Sequence, residues 1–310
     1  MERNAAAQQA LGTGFVVWLL TGAHAHPSAP DTTGSAAPDP AALQCLEGLD
    51  RVIASDTLTS QLLPRASAVV PQLMNMLRDE GYSSADAAQR ISRDAALTAE
   101  VIRMASGALL RAAGRTPDLA NAVSMIGTQG LRRAIARVVL RPLFDARGDS
   151  LTARAAPQIW TDSDKTARMC AALSAGRGID PLDAYLAGLL HNTGWSAALR
   201  AIDALPVARL PSLAFAQPQM AQALVLRCDR LFAKLVAPWQ LSAPLSALAL
   251  EIGSNGLDDA NTPLATLLKE AKALARLHTQ QTLGAVPGGV KPPPGLVKGV
   301  EDAYGSLSAA

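Results

Sequence analysis

The chain has 310 residues, enough to bury a substantial core as one large domain or two small ones. Its hydrophobic share of 49% marks a globular protein, and a formal net charge of +2 gives no global field that would require nucleic acid or an anionic membrane as partner. Aromatic residues are 4% of the total, Ala and Leu dominate, and alternating β-branched runs are nearly absent, so the predicted fold is all-α. Cys45, Cys170 and Cys228 are odd in number and far apart. This argues against a disulfide framework and against paired-cysteine metal sites, and suits small buried thiols in a reducing compartment.

The N-terminal run "LGTGFVVWLLTGAHA" is apolar and closes on Ala23-His24-Ala25, which imitates a signal-peptidase site. Glu2 offsets Arg3, glycines interrupt the run, and it falls short of the roughly 20 apolar residues a membrane-spanning helix needs. A secretory signal and a short docking helix both stay open. "PSAPDTTGSAAPDP", Pro27 to Pro40, has linker composition, and "GAVPGGVKPPPG" near the other end is alike. The expected organisation is an N-terminal segment and linker over 1–40, a helical domain over 41–283 and a flexible tail over 284–310.

Helical spacing recurs within that domain. Ala66, Val69, Val70, Leu73 and Leu77 form one stripe, and Gly81 is placed to stop the helix. Ser84 and Asp94 suit N-caps, with Leu97, Val101 and Met104 inward after the latter. Thr116-Pro117 is a further start signal; Gly127 ends that helix and Thr128 begins one whose Leu131, Ile135, Val138 and Val139 are apolar, limited by Pro142. A long helix is predicted over 155–176, then one opened by Asp180-Pro181 with Leu182, Tyr185, Leu186, Leu189 and Leu190 inward and His191 near its end. Three more follow, at about 220–236, 241–252 and 262–283, and no repeat of 20 to 50 residues is present.

Several of these stretches together resemble one family. The Leu-Pro step at Leu63, the Ile91, Asp94 and Leu97 spacing, the Ala122 and Gly127 spacing, and the close "YLAGLLHNTG" follow the order found in the HDOD domain, the HD-related output domain of bacterial signalling proteins. The likeness runs from about Leu62 to Gly253. It implies an all-helical bundle related to HD phosphohydrolases, usually without their metal centre, acting as a regulatory or interaction domain in the cytoplasm.

In an HD enzyme, His and Asp ligands from different helices hold a divalent metal that binds phosphate and activates water. The resemblance puts those positions at Asp162, His191 and Asn192. Asp162 stands 29 residues before His191 (191 − 162) where a first His is expected, and Asn192 replaces the Asp of the pair with a neutral amide, a poor ligand for a hard cation. The other histidines, His24, His26 and His278, lie outside the bundle's centre, so no catalytic residue, metal or cofactor is assigned. The plainer reading makes His191 and Asn192 a helix end, with Gly194 as the left-handed closing residue and Trp195 packing over the turn.

Three binding readings compete. Arg133, Arg137 and Arg141 recur every four residues and form a stripe suited to acidic groups on another signalling protein, against the alternative of a solvated outer face. A helix-turn-helix around Ala88 to Met104 fails on chemistry, since Asp94 and Glu100 would oppose phosphates; nucleic acid is not an expected partner. The degenerate cleft could also hold a nucleotide, with Asp162, His191 and Asn192 as contacts, though no glycine-rich phosphate cradle accompanies them. The sequence thus predicts a non-catalytic signalling domain that works by protein–protein contact. The alternatives are an HD-type phosphohydrolase and a nucleotide sensor, and no membrane span is expected in any of them.

Overall fold

The computed structural model describes residues 13–21, 38–63, 65–78, 88–89, 91–109, 118–206, 215–284 and 289–308. Regular structure among them is helical. In chain order it comprises α1 (13–21), α2 (Pro40–Ala54), α3 (Asp56–Gln61), α4 (Ala66–Arg78), α5 (Ala95–Leu109), α6 (Leu119–Leu140) and α7 (Leu151–Leu173), followed by α8 (Pro181–His191), α9 (Thr193–Asp203), α10 (Pro218–Val236), α11 (Ala243–Asn255), α12 (Pro263–Thr282) and α13 (Lys298–Gly305).

Most helix starts follow from local chemistry. Asp94 accepts a hydrogen bond from Leu97 N at 3.0 Å, and Asp180 accepts from Leu182 N and Asp183 N ahead of Pro181. Thr262 caps Ala265 N ahead of Pro263. Each satisfies free N–H groups of a first turn, and the proline sits where its missing N–H costs nothing. Gly127, with φ 63° and ψ −178°, leaves the helical region and breaks α6 into two helical segments, one before it and one starting at Thr128, where the sequence places an end and a start. Gly81, Ser84, Thr116, Pro117, His24, His26 and most of the N-terminal linker lie outside the described residues.

Helices α7, α8, α10 and α12 surround one apolar core in which Trp195, Phe144, Phe232 and Leu190 are almost wholly buried. The first and last described helices join it. Phe15, Val16, Leu19 and Leu20 of α1 are buried, with the Phe15 ring edge-on to Trp195 at 6.1 Å. The C-terminal residues expected to be a flexible tail instead form α13. Val300, Tyr304 and Leu307, spaced four and three apart, are buried, and Arg168 of α7 donates to Ser306 O. That stripe is only about two turns long and follows a proline- and glycine-rich run, so composition masked it.

Gly194 also departs from expectation. It does not close a helix in the left-handed region; it lies within α9, a helix the sequence reading passed over. A Cβ there would drive into the carbonyl oxygen of Cys228 on α10, so glycine serves close helix packing. Trp195 is buried, as expected.

Candidate functional site

A similar close approach builds the centre of the molecule. A Cβ on Gly188 would lie 2.6 Å from Ala167 Cα, so α8 runs against the backbone of α7 and its C-terminal end meets the side chains one turn earlier on α7. The structure thereby brings together all three HD-position residues. Asn192 Nδ2 donates to Asp162 Oδ2 at 2.9 Å, and His191 precedes it at the last position of α8. Asn192 does not cap exposed carbonyls; its amide is turned inward.

Two residues absent from the sequence reading complete the cluster. Asp229 of α10 places Oδ1 3.1 Å from His191 Nε2, while its Oδ2 accepts from Leu257 N at 2.8 Å. Lys272 of α12 places Nζ 2.7 Å from His191 Nδ1 and 3.4 Å from Asn192 Oδ1. All five side chains are buried. A charged ammonium has no lone pair, so Lys272 donates to Nδ1, and the imidazole proton sits on Nε2, donating to Asp229. The same logic fixes Asn192, with its oxygen toward Lys272 and its nitrogen toward Asp162.

Electrostatics agree with a neutral ring. Burial lowers the His191 pKa and Lys272 adds to the effect, with the Asp229 hydrogen bond opposing. Burial also lowers Lys272, to about 8, helped by Arg276 and resisted by Asp162 and Asp229. Asp162 Oδ1 and Arg276 Nε are buried without hydrogen-bond partners. The Arg276 guanidinium lies over the Phe15 ring at 4.1 Å. Both new residues had a local signal. Lys272 shares a helical face with buried Ala265, Leu268 and Ala275, as Asp229 does with Phe232, Ala233 and Val236. A charge on an apolar stripe needs a buried partner.

These residues do not fit a divalent metal. His191 has both ring nitrogens engaged, Asn192 offers an amide oxygen turned toward an ammonium, and a second cation beside Lys272 would be repelled in a poorly solvated setting. Among the described residues, no group of three or more His, Cys, Asp or Glu side chains is arranged to hold a metal ion.

The arginine row divides. Arg137 is internal. Its Nη1 is 2.6 Å from Glu100 Oε2 and its Nε is 2.6 Å from Asp164 Oδ1, and both carboxylates are buried. Burial works against its charge, but Asp164 and Glu100 more than offset that and hold its pKa above the usual arginine range. Glu100 is 5% exposed. Arg141 stacks over Trp160 at 4.4 Å and pairs loosely with Asp145, while Arg133 reaches only the carbonyl of Gln129. The three residues therefore do not form one free surface stripe.

A helical bundle centred on a His-Asn pair that ends one helix and an acidic residue on the helix beside it defines a relative of the HD proteins. The HDOD domain family model matches residues 63–252, more than half of the chain, and the chain belongs to that family. A solved protein of Shewanella amazonensis SB2B, whose name places it among metal-dependent phosphohydrolases, superposes with TM-score 0.60 at 21% identity, covering 87% of this chain and 98% of the other. An HDOD domain protein of unknown function from Geobacter sulfurreducens gives TM-score 0.50 at 20% identity over 78% and 81%. Both show the shared fold. An uncharacterized protein of Treponema pallidum (strain Nichols) is 23% identical over 134 residues, which are 43% of this chain and only a quarter of that protein's length. No helix among the described residues is long and apolar enough to cross a membrane.

Proposed function

We propose that this chain is a non-catalytic regulatory domain of bacterial signal transduction that acts in the cytoplasm by binding another signalling protein. The observation that carries this reading is the chain of hydrogen bonds joining Asp162, Asn192, Lys272, His191 and Asp229. Both ring nitrogens of His191 and both ends of the Asn192 amide, at the positions an HD enzyme would turn toward metal and substrate, are turned here toward neighbouring side chains. Hydrolysis needs an open cation position and an activated water, and this arrangement reserves neither. The three cysteines are free and buried, with thiols made less acidic by burial, which suits inert packing in a reducing compartment.

The partner surface proposed here is the outer remainder of the arginine row, half-buried Arg133 and exposed Arg141, whose guanidinium groups suit carboxylates on the partner. The test is capture from a lysate of the native host by wild-type protein and by the Arg133→Glu/Arg141→Glu variant, beside a phosphatase and phosphodiesterase screen with added Mn2+. Partner capture that the double variant loses, with no turnover, is the expected result. Metal-dependent turnover that tracks the protein through purification would overturn the reading.

A further inference from the structure

Metal-bound histidines commonly donate one ring N–H to a carboxylate, which orients the ring and leaves the other nitrogen facing the metal. Asp229 and His191 reproduce that arrangement: Nε2 donates to Asp229, and the lone pair of Nδ1 faces inward. What stands before that lone pair is Lys272 Nζ, which also approaches the oxygen of Asn192. One turn further along α12, Arg276 brings a second positive charge that acts on both His191 and Lys272. The buried carboxylates of Asp162 and Asp229 thus share the centre with the Lys272 ammonium, a positive charge standing where a metal ion would bring one.

We propose that Lys272 is a tethered replacement for the metal ion: its ammonium, held by His191 Nδ1 and Asn192 Oδ1, is the resident cation of the His191 centre and closes it to divalent cations. The tether changes what the centre does. A metal drawn from solution can leave or exchange, whereas an ammonium on α12 binds that helix permanently to α7, α8 and α10 through Asn192, His191 and Asp229. The contact is a hydrogen bond at 2.7 Å, longer than the roughly 2.0–2.1 Å of a zinc–imidazole bond. The centre becomes a cross-link of four helices.

The inference rests on reading this centre as closed to catalysis, yet it can fail alone. The experiment uses the full chain, stripped with chelator and melted with and without Mn2+. Wild type is expected to retain no Mn2+ and to show no shift in Tm. The double variant Lys272→Ala/Asn192→Asp, which removes the ammonium and restores an anionic ligand, is expected to melt lower without metal and to regain roughly 5 °C with Mn2+ well above its dissociation constant. A Tm shift or stoichiometric Mn2+ on wild type overturns the proposal, as does a folded double variant indifferent to Mn2+. Should the double variant fail to fold, the 15N resonances of His191 in wild type decide. A neutral ring protonated on Nε2 with Nδ1 as acceptor upholds the resident ammonium; an Nδ1–H tautomer or an imidazolium overturns it. Absence of turnover with an Nδ1–H tautomer would sink the tethered cation and leave the regulatory reading standing.

Discussion

Helix α7 carries two buried carboxylates two residues apart, Asp162 and Asp164, and they face different neighbours. Asp162 joins the cluster of Asn192, His191, Asp229 and Lys272. Asp164 joins Arg137, with Glu100, Arg103 and Arg168 close by. The Asp164 side relies on guanidinium groups, which keep their charge at any accessible pH and bridge two carboxylates at once. The Asp162 side relies on groups whose charge is negotiable, a neutral imidazole and a lysine pushed down to about 8 by burial. One side of α7 is therefore a fixed ionic clamp. The other keeps the layout of a reactive centre after its ligands have been turned on one another.

Removing the clamp's central cation breaks this contrast most severely. Arg137→Ala leaves buried Asp164 with only Arg168 at 3.9 Å and buried Glu100 with only Arg103, and the expected loss is about 3 kcal/mol of unfolding free energy in urea titrations. If Arg137→Ala costs under about 1 kcal/mol, the clamp is not what holds α5 and α6 to α7.

The C-terminal end of α12 provides the next test, because it is sensitive to protons where the clamp is not. His278 is fully buried, with Nε2 3.1 Å from Ser308 Oγ and its ring edge-on to Tyr304. Burial pushes its pKa from 6.5 to about 4, and the nearby cations Lys165 and Arg168 push the same way. Between these two values the unfolded chain holds the proton and the folded chain does not. Stability is therefore full above about 6.5 and falls as pH drops toward 4, by up to about 3 kcal/mol. His278→Gln should flatten the profile across that window, and a wild-type profile already flat there would refute the assignment.

Gly194→Ala comes third. Its Cβ meets the Cys228 carbonyl, so α9 must move away from α10, at a cost of about 1–3 kcal/mol. Thermal melts measure it, and a neutral outcome would show that α9 and α10 can separate without penalty.

How much of this was legible in the sequence differs between the regions for physical reasons. Starts such as Asp94, Asp180-Pro181 and Thr262-Pro263 are local chemistry and needed no structure. Helix α9 was hidden because Gly194 reads locally as a stop, and what gives it another purpose is a carbonyl on a helix 34 residues further on (228 − 194). The family motif led to Asp162, His191 and Asn192, and the bundle brings them together. Lys272 and Asp229 left only a charge on an otherwise apolar face. Periodicity put Arg133, Arg137 and Arg141 on one side of α6, but nothing local says that Glu100 and Asp164 stand opposite the middle one.

That row supplies the smallest and sharpest test. Arg133 and Arg137 are one turn apart on the same helix, share a charge and would be exchanged by any argument from spacing. Arg133 bonds only a carbonyl of its own helix, so Arg133→Glu should change stability by no more than about 0.5 kcal/mol. Arg137→Glu, by contrast, puts a third carboxylate between Glu100 and Asp164 and should prevent folding at neutral pH. Circular dichroism melts of the two variants side by side separate a residue available to a partner from one consumed by the core. If Arg133→Glu unfolds the chain as Arg137→Glu does, the whole row belongs to the interior and the partner must be sought on another face.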